Sequence, residues 1–335
     1  MLSRVADAIY WMNRYVERAE SVARFVDVNL HLSLDLPRGT SADWSPIIAT
    51  TGDDELFRSR HGAPARDTAM RFLTFDREYP SSLLRCLEAA RENARSVREV
   101  ISSEMWERLN SLYLTVREAR PDEVLAAPHD FFTAVKQGAA LFIGTTYLTM
   151  SHNEAWHFGK LGRLVERADK TSRIVDVKCY DLTKPLVGAV DDIQWGALLK
   201  SASALEMYRK RYGRITPAHV VKFLLFDRDF PRSMWHCLYG ASESLRAIVR
   251  RPDSGATHVR AQLGGAAQLQ SMQALSGPAP TLAELRVEAL LDELERHATD
   301  VGALLGSQLH AVLDNAQVRL NELGHAIRDT FFSPD

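Results

Sequence analysis

Arg14-Tyr15-Val16-Glu17-Arg18-Ala19-Glu20-Ser21-Val22-Ala23-Arg24-Phe25-Val26-Asp27-Val28 recurs later in the same chain as Arg163-Leu164-Val165-Glu166-Arg167-Ala168-Asp169-Lys170-Thr171-Ser172-Arg173-Ile174-Val175-Asp176-Val177. Nine of these fifteen positions are identical, and the shared residues are charged as often as apolar. A second pair follows in the same order, Phe72-Leu73-Thr74-Phe75-Asp76-Arg77-Glu78-Tyr79-Pro80-Ser81-Ser82 and Phe223-Leu224-Leu225-Phe226-Asp227-Arg228-Asp229-Phe230-Pro231-Arg232-Ser233. Trp44 and Trp195, Arg60 and Arg211, Cys86 and Cys237, and Glu92 and Glu243 also fall into register once a two-residue difference in length is allowed. A period of about 150 residues far exceeds the roughly 20 to 50 of solenoid repeats. The chain therefore reads as two fused, diverged copies of one helical unit, about 1–150 and 151–335, packed as one pseudo-two-fold body.

The spacing of apolar residues sets the fold class. Ile9, Met12, Val16, Ala19, Ala23, Val26 and Leu30 keep the three-to-four rhythm of an amphipathic helix, which is expected from near Ser3 to about Leu34. Further helices are expected over Trp44 to His61, closed by Gly62, over Ala65 to Phe75, and from Ser81 or Ser82 through Ile101. Trp106 to Tyr113 carries the next, Pro121 and Pro128 bracket a short connection, and His129 to Met150 reads as a buried helix. Ser151 or His152 then opens the second copy, which repeats the plan. Asp253 to Gly277, rich in Gly, Ala, Gln and Ser, is expected to be loose, and Thr281 starts two closing helices. No alternating Val/Ile/Thr-rich run bounded by hairpin turns occurs, so an all-α, multi-helix bundle is expected as a single unit over 1–335.

Composition narrows the function classes. With 335 residues, 46% of them apolar, 25% charged and a net charge of -2, the chain has material for a large core and no global attraction to nucleic acid or an anionic membrane. Three cysteines, Cys86, Cys179 and Cys237, have neither disulfide-framework nor zinc-ligand spacing, and with no signal-peptide pattern the expected setting is the cytoplasm. No Gly-rich phosphate loop, nucleophile elbow or His-Glu-x-x-His occurs. No resident metal and no cofactor is expected.

The charged repeat carries the candidate site. Tyr10, Arg14, Glu17, Ser21 and Arg24 fall on one stripe of the first helix, and Arg163, Glu166, Lys170 and Arg173 occupy the same stripe in the second copy. Arg18 and Arg167 adjoin the two glutamates. Such a stripe is a solvated face with helical ion pairs, a structural ion-pair network where the copies meet, or an anion site. Asp76-Arg77 and Asp227-Arg228 precede aromatic-Pro turns, where Asp caps amides and Arg ties the turn down. Glu154 and His157, with His152 just ahead of them, form an isolated Glu-x-x-His pattern, half of a di-iron carboxylate motif, without its second half.

With those motifs in view, the chain resembles the bacterial alpha-E family. The resemblance runs through Leu2-Ser3-Arg4-Val5-Ala6, Tyr10-Trp11-Met12-x-Arg14-Tyr15-x-Glu17-Arg18-Ala19-Glu20, Ala89-Ala90-Arg91-Glu92-Asn93-Ala94-Arg95, Ile101-Ser102-Ser103-Glu104-Met105-Trp106-Glu107, His152-x-Glu154-Ala155-Trp156-His157-Phe158 and Leu161-Gly162-Arg163-x-x-Glu166-Arg167-Ala168-Asp169-Lys170-Thr171-Ser172-Arg173. It implies the company of a circularly permuted ATP-grasp protein, often with a transglutaminase-like peptidase, in a system that forms or modifies peptide or amide bonds. The expected role is an accessory subunit that binds the ligase or an anionic peptide through the Arg/Glu stripes, with ATP on the partner. The alternative is an enzyme using Glu17 and Glu166 as acid or base, and a metal-dependent enzyme at Glu154 and His157 is a third.

Overall fold

In a computed structural model, residues 1–35, 43–181, 189–250, 279–305 and 308–333 are described. Among them there are sixteen helices and no strand. Two long helices form the centre, α1 (Ser3–Asp35) and α9 (Glu154–Asp181). The first unit continues with α2 (Ser45–Thr51), α3 (Asp54–His61), α4 (Arg66–Phe75), α5 (Leu83–Ser96), α6 (Ser103–Arg117), α7 (Pro121–Ala126) and α8 (Pro128–Thr149). After α9 come α10 (Ala189–Ser201), α11 (Leu205–Tyr212), α12 (Pro217–Phe226), α13 (Met234–Val249), α14 (Leu282–Ala298), α15 (Val301–Leu304) and α16 (Leu309–Phe331).

α1 packs on α5, α8, α9 and α10, while α9 packs on α13, α16, α2 and α1. Both central helices are therefore covered on several sides, and their polar stripes lie inside rather than in solvent. Ile9, Met12, Val16, Ala19, Ala23 and Val26 of α1 meet Leu161, Val165, Ala168 and Val175 of α9 in one apolar cluster that runs through the described chain. The crossing is close because α9 places glycines there. A Cβ on Gly162 would lie 2.4 Å from the Tyr10 carbonyl oxygen, and one on Gly159 would lie 2.7 Å from Asn13 Nδ2.

The two Asp-aromatic-Pro turns have the same construction. Asp76 Oδ1 accepts from the amides of Glu78 and Tyr79 at 2.8 and 3.1 Å, and Asp227 Oδ1 accepts from those of Asp229 and Phe230 at 2.9 Å each. Ser82 and Ser233 then cap α5 and α13, their hydroxyls accepting from Arg85 N and His236 N. Capping satisfies amides that a helix start leaves orphaned.

Several boundaries differ from expectation. The segment 44–61 is two helices, because Gly52 closes α2 at φ 81°. The helix expected through Ile101 ends at Ser96 and gives way to turns, since Val97 already has φ -129° and ψ 28°. The connection between the prolines is itself helical: Pro121 and Pro128 occupy the first positions of α7 and α8, where the missing N–H costs nothing. α8 is buried along Phe132, Val135, Ala139 and Phe142 but exposes Leu141, Tyr147 and Leu148, so it is half-covered rather than a buried helix. The helix expected to open at Ser151 or His152 starts at Glu154. Thr281 caps α14 through a reciprocal bond pair with Glu284, and three closing helices follow instead of two. Asp253 to Gly277 lies outside the described residues.

Candidate functional site: two cationic clusters at the central helix crossing

Glu166, on α9, has no solvent exposure, and α1 supplies its partners. Arg18 donates from Nε to Oε1 at 2.6 Å and from Nη2 to Oε2 at 3.0 Å, while Arg14 donates from Nε to Oε2 at 2.9 Å. Lys170 Nζ lies 3.6 Å from Oε1, and Asp169 next door pairs with Lys170 at 3.1 Å and with Arg173 at 2.9 Å. Burial pushes the Glu166 carboxyl up, but the charges of Arg18, Arg14 and Lys170 override it and hold it well below the usual carboxylate range.

Glu17, on α1, is equally buried and is held from α9. Arg167 grips it with Nε to Oε1 and Nη2 to Oε2, both 2.7 Å, the planar fork that suits a carboxylate. Arg232, from the turn before α13, reaches Glu17 Oε1 at 3.3 Å and Glu20 Oε1 at 3.0 Å, and Arg24 also pairs with Glu20. For Glu20, burial again raises the pKa, yet Arg232 and Arg24 bring it down to about 2.

The pairing is reciprocal: Arg18 reaches Glu166, and Arg167 reaches Glu17. Each cluster holds two carboxylates against four cations. Glu166 and Asp169 face Arg14, Arg18, Lys170 and Arg173, while Glu17 and Glu20 face Arg24, Arg163, Arg167 and Arg232. The composition is kept although the residues differ. Lys170 stands at the register of Ser21, and Arg232 at that of Ser81, so one cation has moved between long helix and turn.

Arg163 is the surplus member. Among the described residues no group accepts a hydrogen bond from it. Burial first, and then repulsion from Arg167, lower its pKa to about 10, with Glu17 offsetting only part. A cavity of about 180 Å³ opens beside the other cluster, lined by Arg14, Arg18, Lys170, Arg173, Thr51, Ser81, Asp169 and Asn321. At about 30 Å³ per water it has room for a carboxylate or phosphate group with its stem. Two flanking gaps of about 20 and 10 Å³ hold no more than a water each. A larger depression of about 570 Å³ near α10 and α11 is lined by Asp192, Lys200 and Arg209, which are exposed.

Burial of Glu17 and Glu166 removes the solvated-face interpretation of the stripes. Arg14, Glu17, Arg18, Arg24, Arg163, Glu166, Arg167, Lys170 and Arg173 come together at the crossing. Asp76, Arg77, Asp227 and Arg228 do not: the aspartates hold the turns and pair with Arg60 and Arg211, Arg77 is exposed, and Arg228 pairs with Glu295 at 3.0 Å and lies over Trp235. His152, Glu154 and His157 sit at the start of α9, with Glu154 bound to the Met1 amine at 3.1 Å and His152 stacked on Trp156. Among the described residues neither Glu154 nor His157 joins a three-ligand group. Cys86 and Cys237 are buried, and burial pushes their thiols up to about 11 and 12. Arg232 was missing from the sequence-derived set, although its charge at the register of Ser81 is a visible signal.

An uncharacterised protein of Mycobacterium bovis is 25% identical over 267 residues, covering 74% of this chain and 29% of its own length. One from Mycobacterium tuberculosis (strain ATCC 25618 / H37Rv) is 24% identical over the same span and coverage. The chain thus spans under a third of these relatives. No solved structure matches it. Of its four Glu-Arg dipeptides, Glu107-Arg108 and Glu295-Arg296 are exposed, whereas the glutamates of Glu17-Arg18 and Glu166-Arg167 are fully buried at the crossing. Matching over residues 1–332 the family described as a predicted alpha-helical domain with a conserved ER motif, the chain belongs to the Alpha-E family.

Proposed function

We propose that the protein is a binding subunit that receives an anionic group, the carboxylate of a peptide or of a partner protein, at its two cationic clusters. The carrying observation is the composition of those clusters: two buried carboxylates against four cations, twice. An ion-pair network serving stability alone gains by neutrality, because each buried uncompensated charge costs several kcal/mol. A surplus that persists while its residues change place is better accounted for by an incoming anion, and Arg163 and the polar cavity beside Arg14 are where one would be held.

The two halves act in this proposal as pseudo-two-fold copies, supported by the matching helix order and the reciprocal Arg–Glu pairs. In keeping with the family resemblance, the partner is a circularly permuted ATP-grasp ligase of the cytoplasm, working with a transglutaminase-like peptidase on peptide or amide bonds, and ATP belongs to that partner. The arrangement weighs against Glu166 as a general acid, because a carboxyl held this far below neutrality carries no proton to give.

The test is calorimetric titration of the chain with the purified ATP-grasp partner and with acidic peptides. Arg163→Met with Lys170→Met should weaken binding, and added salt should weaken it further, while helicity is unchanged. Unchanged affinity in the folded double variant would remove the clusters from the role. Turnover of a peptide or amide by the isolated chain without ATP would replace the binding subunit with an enzyme.

A further inference from the structure

About 15 Å along α1 from Glu17, three ligand-type atoms converge where α8 begins. Asp27 is buried, and its Oδ2 accepts a 2.5 Å bond from Lys136 Nζ, which leaves Oδ1 aimed at two imidazoles. His129 Nδ1 lies 3.0 Å from that oxygen, His31 Nε2 lies 3.2 Å from His129 Nδ1, and His31 Nε2 lies 3.8 Å from Asp27 Oδ1. His31 follows Asp27 by one helical turn, so α1 presents both on one side and α8 closes the triangle with His129.

Hydrogen bonds alone leave this triangle unsatisfied. A ring nitrogen carries either one proton or one lone pair, so His129 Nδ1 cannot serve both Asp27 Oδ1 and His31 Nε2. The 3.8 Å edge is too long for a hydrogen bond. A cation at the centre would engage all three lone pairs at once. Donors about 2.0 to 2.1 Å from a tetrahedral Zn²⁺ stand about 3.3 Å apart, which lies inside the observed range of edges. Lys136 would act as the outer partner that orients the ligating carboxylate. The two histidines are 45% and 59% exposed, so an ion has a path in and a fourth position open to solvent.

The second half supplies an internal comparison. Asp176, at the register of Asp27, is bound by His310 Nδ1 at 2.6 Å and by Gln317 Nε2 at 3.1 Å, with the same seven-residue separation as His129 and Lys136. An Asp–His tie between the central helix and the last helix of each half is therefore common to both. Tyr180 stands at the register of His31, so the sequence offers no imidazole at that position of the second half. We propose that Asp27, His31 and His129 form a Zn²⁺ site with one open coordination position, a metal site separate from the cationic clusters.

The experiment uses the full chain, stripped of metal and titrated with Zn²⁺ against a competing chelator, with Co²⁺ as a spectroscopic probe of geometry. The wild type should take up one Zn²⁺ per chain, and Co²⁺ should give the intense visible bands of a four-coordinate site. His31→Ala and His129→Ala should each weaken Zn²⁺ by at least about tenfold with unchanged circular dichroism, as both rings are largely exposed. His310→Ala should leave the affinity as it is, and Lys136→Gln should bind at least as tightly, since it removes a cation near the ion and keeps a donor to Oδ2. Failure of the wild type to bind stoichiometrically, or full affinity in the His31→Ala, His129→Ala double variant, would overturn the site.

Discussion

Arg163 is half-buried beside Arg167 and, among the described residues, donates no hydrogen bond to a carboxylate. Replacing it with Met keeps the volume and removes a half-buried cation repelled by Arg167, so Arg163→Met should raise stability by about 1 kcal/mol in urea unfolding while lowering affinity for the anionic partner. The clamped carboxylates behave oppositely. Glu166→Ala takes the counter-charge from Arg14 and Arg18, Glu17→Ala takes it from Arg167 while Arg232 keeps Glu20, and each should cost about 3 to 5 kcal/mol in the same measurement. Acid sensitivity follows from the depressed values at Glu166, Asp169 and Glu20. A group whose folded pKa lies below its unfolded one stabilises fully above the unfolded value, about 4 for these side chains, and loses that contribution as pH falls through the folded value. Stability should thus decline as pH drops from about 5 toward 2, and the decline should be shallower in Glu166→Gln, as read from unfolding midpoints across that window. Identity of Arg, Glu and Arg between the repeats made these residues legible in the sequence. Which guanidinium meets which carboxylate was not, because the partners come from opposite copies and no spacing within one helix reports a contact between two.

The long helices and their serine caps could be read from periodicity and from the Asp-aromatic-Pro-x-Ser turns, since both signals are local. Breaks inside expected helices could not be read so well. The step at Gly52 and the turns after Ser96 interrupt runs whose apolar spacing continues, and the neighbours that receive each short piece decide the break. The crossing itself was also hidden: Gly159 and Gly162 look like helix weaknesses until Asn13 and the Tyr10 carbonyl are found against them. Gly162→Ala should therefore destabilise by about 1 to 3 kcal/mol, despite the better helix propensity of Ala, because the obstacle is backbone that cannot rotate away. A lowered thermal midpoint checks this, and a raised one would mean that the helices have room to part. At the other end of the motif, Ser233→Ala removes the acceptor for His236 N and should cost about 1 kcal/mol.

Across the whole molecule, fold class was visible because helix is the only period present, and the surplus charge was not, because the net value of -2 averages it away. If the halves are equivalent partners, fragments 1–150 and 151–335 produced together should copurify, and charge reversal at Arg18 should break the association while the paired reversal Arg18→Glu with Glu166→Arg restores part of it. Copurification that survives charge reversal would assign the association to the apolar seam alone. The reciprocal pairs also have a bearing on synthesis. Arg18 and Glu166 are 148 residues apart, and Arg167 and Glu17 are 150 apart. At about 5 to 20 residues per second, the first long helix leaves the ribosome about 7 to 30 seconds before its counterpart exists. Throughout that interval Glu17 and Arg18 remain hydrated and the apolar side of the seam has nothing to close on, so the amino-terminal half waits as an unfinished surface until the middle of the chain arrives.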